Sequence, residues 1–172
     1  MIRTAEHEAR SAKYAHIERE RRWLVGDLPA TVGPHVLIED RYIVGTRLRL
    51  RRMTASADGT CALKLTKKYE AADPLARAIV TTYLTEVEYT LLAALPAHLL
   101  AKRRYPVDDR GQTFSVDMFL GPLTGLVLAE IESPDDMALR ALASPVWAMR
   151  EVSHDPDYQG AALAARCAGV RG

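Results

Sequence analysis

The chain has 172 residues, 48% of them apolar and 26% charged, a composition that fits one folded domain and excludes a disordered segment. Lys and Arg total 23 against 22 for Asp and Glu, so a formal net charge of +1 excludes a strongly basic nucleic-acid binder at the level of the whole chain. No apolar run reaches the roughly 20 residues that a bilayer span needs, and the first 22 residues lack the apolar core of a secretion signal. The expected location is cytoplasmic, with no membrane partner and no nucleic acid. Cys61 and Cys167 have no metal-ligand spacing and read as small apolar side chains.

Ala5–Ala15, without Gly or Pro and with Glu6 and Arg10 at i,i+4, predicts a short helix. From His16 the period becomes two. The same alternation marks Val36–Val44, Thr46–Arg51, Cys61–Tyr69, Thr81–Tyr89, Lys102–Val107, Thr113–Leu120 and Leu126–Glu132, giving eight candidate strands. Asp58-Gly59 and Asp109-Arg110-Gly111 supply hairpin turns. Thr90–Leu100 and the Ala-rich tail from Gly160 read as helices. So does the stretch to Leu142, opened by Ser133 as N-cap, Pro134 at the first helical position and the acids Asp135 and Asp136. One domain is expected over 1–172, with an N-terminal helix at 1–15, a core at 16–163 and a tail at 164–172.

The polar phase of these strands is charged, and its signs are sorted strand by strand. Glu18 and Glu20 share a face with Arg22, and Arg47, Arg49 and Arg51 share another. Lys64 sits between Leu63 and Leu65, Lys102 and Arg104 flank Arg103, and Asp117 lies between Val116 and Met118. Glu86/Glu88 and Glu130/Glu132, together with Glu18/Glu20, account for six of the eleven glutamates. Like charges side by side repel unless something neutralises them, and a surface tuned only for solubility intersperses its signs. A polar face turned inward explains the sorting. Eight strands close around side chains or one small ligand. A lumen with cations on one wall and carboxylates on another suits a polyphosphate carrying a divalent metal.

The run Ile17-Glu18-Arg19-Glu20-Arg21-Arg22-Trp23 resembles the E-x-E-x-K opening strand of the CYTH domain, or triphosphate tunnel metalloenzyme, family. The resemblance continues through Leu48-Arg49-Leu50-Arg51, Ala62-Leu63-Lys64, Glu86-Val87-Glu88, Lys102-Arg103-Arg104-Tyr105, Phe114–Phe119 and Gly125–Glu132, and closes near Val152–Tyr158. It implies an α+β fold: an eight-stranded antiparallel β-barrel, or tunnel, with a polar interior and helices packed outside. It also implies a Mg2+ or Mn2+ cofactor. Glu18, Glu20, Glu130 and Glu132 would hold metal, with Glu86, Glu88 and Asp117 contributing. Arg49, Arg51, Lys64, Lys102 and Arg104 would grip phosphate, with the register between Arg47/Arg49 and Arg49/Arg51 open. Glu18, Glu20 and Arg22 form the expected catalytic strand. Two departures stand out: Arg22 replaces the family lysine, and Tyr158-Gln159 carries no asparagine shortly after the tyrosine. The activity implied first is metal-dependent hydrolysis of a small-molecule triphosphate, inorganic tripolyphosphate above all. Cyclisation of ATP by a class IV-type adenylate cyclase and non-catalytic binding of a nucleotide or polyphosphate are the alternatives. The expected state is a monomer or homodimer.

Overall fold

The computed structural model describes residues 12–26 and 33–169. Its strands run in chain order as β1 (His16–Val25), β2 (Val36–Ile43), β3 (Leu48–Ala55), β4 (Cys61–Lys68), β5 (Ala76–Tyr83), β6 (Ala97–Asp109), β7 (Gln112–Phe119), β8 (Val127–Glu132) and β9 (Ala148–Glu151). Three helices accompany them: α1 (Glu86–Ala93), α2 (Asp136–Ala141) and α3 (Gly160–Gly169). The sheet order is β5-β4-β3-β2-β6-β7-β8-β1, all antiparallel, and β1 pairs with β5 to close the barrel. The ninth strand, β9, lies beside the C-terminal half of β1.

Directly opposed residues of an antiparallel pair face the same side, so the register settles what the barrel encloses. Glu18 opposes Arg77, Glu20 opposes Glu132 and Arg22 opposes Glu130. Around the ring, Arg104 opposes Asp117, and Arg51 opposes both Asp40 and Lys64. The ionisable face points inward. The alternate residues build the core on the outside of the wall. Trp23, Phe114, Val116, Ala129 and Ile131 pack there under Leu139 of α2, and Leu50 and Leu63 pack under Tyr89 of α1. Each Val, Leu, Ile or Phe among them contributes about 1.5–3 kcal/mol on full burial. Arg21 joins these outer pieces, donating to both oxygens of Glu151 and to the carbonyls of Leu139 and Leu142.

The third helix does something different. Leu163, Ala164 and Cys167 of α3 pack against the inward-facing Leu100, Phe119 and Leu128, sealing one end of the barrel. A Cβ at Gly160 would collide with the Tyr42 hydroxyl, so glycine at the start of α3 leaves room for that side chain. Among the described residues no helix is long and apolar enough to cross a membrane.

Several boundaries differ from the sequence reading. The strand expected at Thr81–Tyr89 ends at Tyr83, and Glu86–Ala93 is helical. Thr85 caps that helix through a reciprocal box with Glu88, which outweighs the short alternation of Glu86-Val87-Glu88. The helix expected over Thr90–Leu100 therefore starts earlier and stops before Pro96, and the chain re-enters the sheet at Ala97. Strand β6 runs 13 residues where Lys102–Val107 was expected. The cap of α2 is Asp135, two residues beyond Ser133. Of the expected N-terminal helix, residues 5–11 lie outside the described residues, and Ala12–Tyr14 forms a single 3-10 turn.

Asp40 and Arg51 form a doubly hydrogen-bonded pair inside the wall at 2.6 and 2.7 Å. Burial pushes the Asp40 carboxyl up, but the Arg51 guanidinium more than offsets this and leaves it below its usual range. That stability is present above the unfolded value of about 3.9 and is lost as pH falls through the lowered folded value. Asp40→Asn should cost about 3 kcal/mol at pH 7 by stranding Arg51. Chemical denaturation at pH 7 and pH 2 should show the gap from the parent narrowing in acid. A gap of constant size would mean that this carboxylate does not carry the effect.

Candidate functional site

Strands β1 and β8 place four carboxylates side by side because each carries an E-x-E on its inward phase. Ligand atoms of Glu18, Glu20 and Glu132 lie within 4.8 Å of one another, close enough to share one cation. All three donors are carboxylate oxygens, the ligands that hard divalent ions prefer. Burial raises the pKa of Glu132, and repulsion from Glu18, Glu20 and Glu130 raises it further. A positive ion at this position would relieve that repulsion. The cluster fits a divalent metal.

Glu130, expected in the same set, is committed elsewhere. It accepts from Arg22 Nε at 2.9 Å and from Arg104. Burial opposes its ionisation, yet Lys102, Arg22 and Arg104 together hold its carboxyl well below the usual range. Asp117 is fully buried between Lys102 and Arg104, and accepts from both. Burial lowers the Lys102 ammonium in spite of Asp117. Glu86 and Glu88, expected beside the metal, are on α1 outside the barrel. Glu86 pairs there with Arg52 at 2.6 Å, and Glu88 is spent on the helix cap. They do not join the carboxylate cluster because the segment that carries them is a helix and not a barrel strand.

Arg22 is buried and uses three of its donors at once. It reaches Glu130 through Nε at 2.9 Å, Glu20 through Nη2 at 2.9 Å and the Tyr158 carbonyl through Nη1 at 2.8 Å. Burial disfavours its charge, but Glu130 and Glu20 more than offset this and raise its pKa above the ordinary arginine value. This side chain orients two carboxylates and ties down the approach to α3.

The cavity inside the barrel has a volume of about 310 Å3. Its wall carries eight Arg and Lys side chains against five Glu. Arg47, Arg49, Arg51, Lys102 and Arg104, all expected from the sequence, line it. Arg47 stacks on Tyr69. Arg49 Nε is buried without a hydrogen-bond acceptor, 3.8 Å from Asp40. Lys64 faces inward by register but stands over the Tyr83 ring, off the cavity wall.

Lining groups that the sequence did not place at the site include Lys68, Glu70, Arg77, Tyr42 and His98. Lys68 donates to Glu18 at 2.6 Å, and through it the Glu18 carboxyl is held below its usual range against the effect of burial. A signal for Lys68 was present, since it shares the phase of Lys64. Burial, then the Asp40 charge, pushes the Tyr42 hydroxyl up to about 12, so it remains protonated.

A closed barrel with a lumen rich in Arg and Lys and a carboxylate cluster on one wall has the donors to hold a polyanion together with a divalent cation. An inorganic triphosphatase from Nitrosomonas europaea is 41% identical over 159 residues, spanning 86% of this chain and 96% of that protein. One from Acetivibrio thermocellus is 32% identical over 151 residues, or 82% of this chain and 88% of that protein. The crystal structure of an inorganic triphosphatase matches with a TM-score of 0.57 at 26% identity, over 86% of this chain and 93% of that one. No protein-family model matches the chain. The chain belongs to the CYTH, or triphosphate tunnel, family.

A lysine at position 22 could not reach three acceptors spread around a planar fork. Arg22→Lys should therefore lower stability by about 1–3 kcal/mol, the cost of buried acceptors left unpaired. Urea denaturation at pH 7 measures it, and an unchanged midpoint would show that the three contacts are dispensable.

Proposed function

We propose that this chain hydrolyses inorganic triphosphate with the help of a divalent cation. The observation that carries the reading is the juxtaposition of a three-carboxylate cluster with a wall rich in Arg and Lys inside one enclosed cavity. The high identity to proteins named inorganic triphosphatase supports it. At about 310 Å3 the cavity is at the small end of ligand sites, which run from about 300 to 1,000 Å3. That size and the closure by α3 favour an unadorned triphosphate over a nucleotide.

Glu18, Glu20 and Glu132 would hold Mg2+ or Mn2+. The ion would neutralise phosphate charge and make a bound water more acidic. The chain's own work is positioning, which is most of what phosphoryl transfer asks of a protein. Arg49 offers a buried, unsatisfied Nε to a phosphate oxygen. Arg51, Lys102 and Arg104 are held rigid by Asp40 and Asp117, so their remaining donors are aimed before substrate arrives. Arg22 keeps Glu20 in the cluster. Glu130 and Asp117 act as counter-ions that fix these cations.

Phosphate release from inorganic triphosphate, ATP and thiamine triphosphate, with Mg2+ or Mn2+, tests the reading. Turnover should be fastest on inorganic triphosphate and should cease with chelator. Cyclic AMP and pyrophosphate from ATP would point to cyclisation, and no turnover of any substrate would sink catalysis. Glu132→Gln should weaken Mn2+ binding by at least about tenfold. The double change Glu86→Gln with Glu88→Gln should leave it within about twofold. Mn2+ titration followed by electron paramagnetic resonance separates the two, and equal losses would show the metal assignment to be wrong.

A further inference from the structure

We infer that Arg77 is a substrate-binding residue, gripping the phosphate that lies beside the carboxylate cluster. The inference rests on the triphosphatase reading and adds to it a residue on the strand that closes the barrel.

Arg77 lies on β5 directly opposite Glu18, across the seam with β1, and it lines the cavity. Opposed positions bring their Cβ atoms to about 5 Å. A pair between Arg77 and Glu18 would therefore be the simple outcome. It does not form; Glu18 accepts from Lys68 instead. Other cations of the wall are engaged: Arg22 with Glu20 and Glu130, Arg51 with Asp40, and Lys102 and Arg104 with Asp117. Among the described residues the Arg77 side chain makes no hydrogen bond, ion pair or ring contact. It is a half-buried guanidinium without a counter-ion, next to the carboxylates that would carry a metal.

A positive group in that state can take up an incoming anion without first breaking an ion pair, as the unsatisfied Nε of Arg49 can elsewhere on the wall. The planar fork of Arg77 suits two oxygens of one phosphate, and such charge-assisted contacts are stronger than neutral ones. The phosphate involved is the one nearest Glu18, Glu20 and Glu132. Arg77 and the cluster would thus address a single phosphate from two sides.

Calorimetric titration of inorganic triphosphate into the full chain, in chelator so that no turnover occurs, reads this contact directly. Arg77→Ala should weaken binding by about 10–100-fold, and Arg77→Lys by a smaller factor, because an ammonium keeps the charge but not the fork. Arg103→Ala removes the same charge from the exposed outer wall and should change binding by less than about twofold. In steady-state hydrolysis KM should rise in the same order while kcat stays within about threefold. Circular dichroism confirms the fold of each variant, and should Arg77→Ala not fold, the Arg77→Lys to Arg103→Ala contrast decides. Binding that ignores both Arg77 changes, or falls equally with Arg103→Ala, overturns the inference while leaving hydrolysis standing. Arg77-dependent binding without turnover by the parent would sink the triphosphatase reading and keep the site.

Discussion

Closing the barrel imposes one constraint from which most of the molecule follows. Every second residue of eight strands must look into an enclosed space, and here many of those residues are charged. Taking an ion out of water costs several kcal/mol, recovered only when a partner and further hydrogen bonds are in place. The lumen meets this condition by chaining its charges. Lys102 and Arg104 share Asp117, Arg104 also holds Glu130, and Arg22 links Glu130 to Glu20. Removing any one link strands its neighbours, so the wall behaves as a unit and its side chains hold their directions before a ligand enters.

The same chain of contacts reaches beyond the sheet. Arg22 spends its third donor on the Tyr158 carbonyl, just before the turn into α3, and Gly160 leaves room for the Tyr42 hydroxyl. The helix that seals the barrel is thereby attached to the strand that carries the carboxylates. Its apolar side completes the seal by covering Leu100, Phe119 and Leu128. The lumen is therefore layered: an apolar plug at one end, paired charges in the middle, and the Glu18, Glu20 and Glu132 cluster beyond them.

How legible was this from the chain itself? Period-two alternation placed most strands, because a wall polar on one side and apolar on the other writes that pattern in sequence. The inward direction of the charges was legible too, since sorted like charges have no reason to stand on a solvated face. What misled was Glu86-Val87-Glu88, which has the spacing of Glu130-Ile131-Glu132 and none of its setting. Three residues are too few to separate a strand from a helix turn, and the Thr85 to Glu88 capping box was the stronger local signal. Arg77 went unseen for the opposite reason. Its strand mixes Arg77, Ile79, Thr81 and Tyr83 on the inward phase, so no run of like charge announces it. Partner choice was also beyond the sequence: nothing in the spacing says that Glu130 answers to two arginines while Glu132 answers to none.

That last distinction organises the chemistry. Two carboxylates of equal formal charge, two residues apart on β8, are pushed in opposite directions, Glu130 toward a lowered pKa and Glu132 toward a raised one. The difference lies in what faces each of them. Glu130 looks into a cluster of guanidinium and ammonium groups, whereas Glu132 looks at other carboxylates from a more exposed position. A cation added from solution gains most where negative charge is left over, and an anion gains most where positive charge is left over. In this lumen those two places lie next to each other, on β1 with β8 and across the seam on β5. A polyphosphate carrying its own metal matches both at once, which neither a simple anion nor a bare metal ion can do.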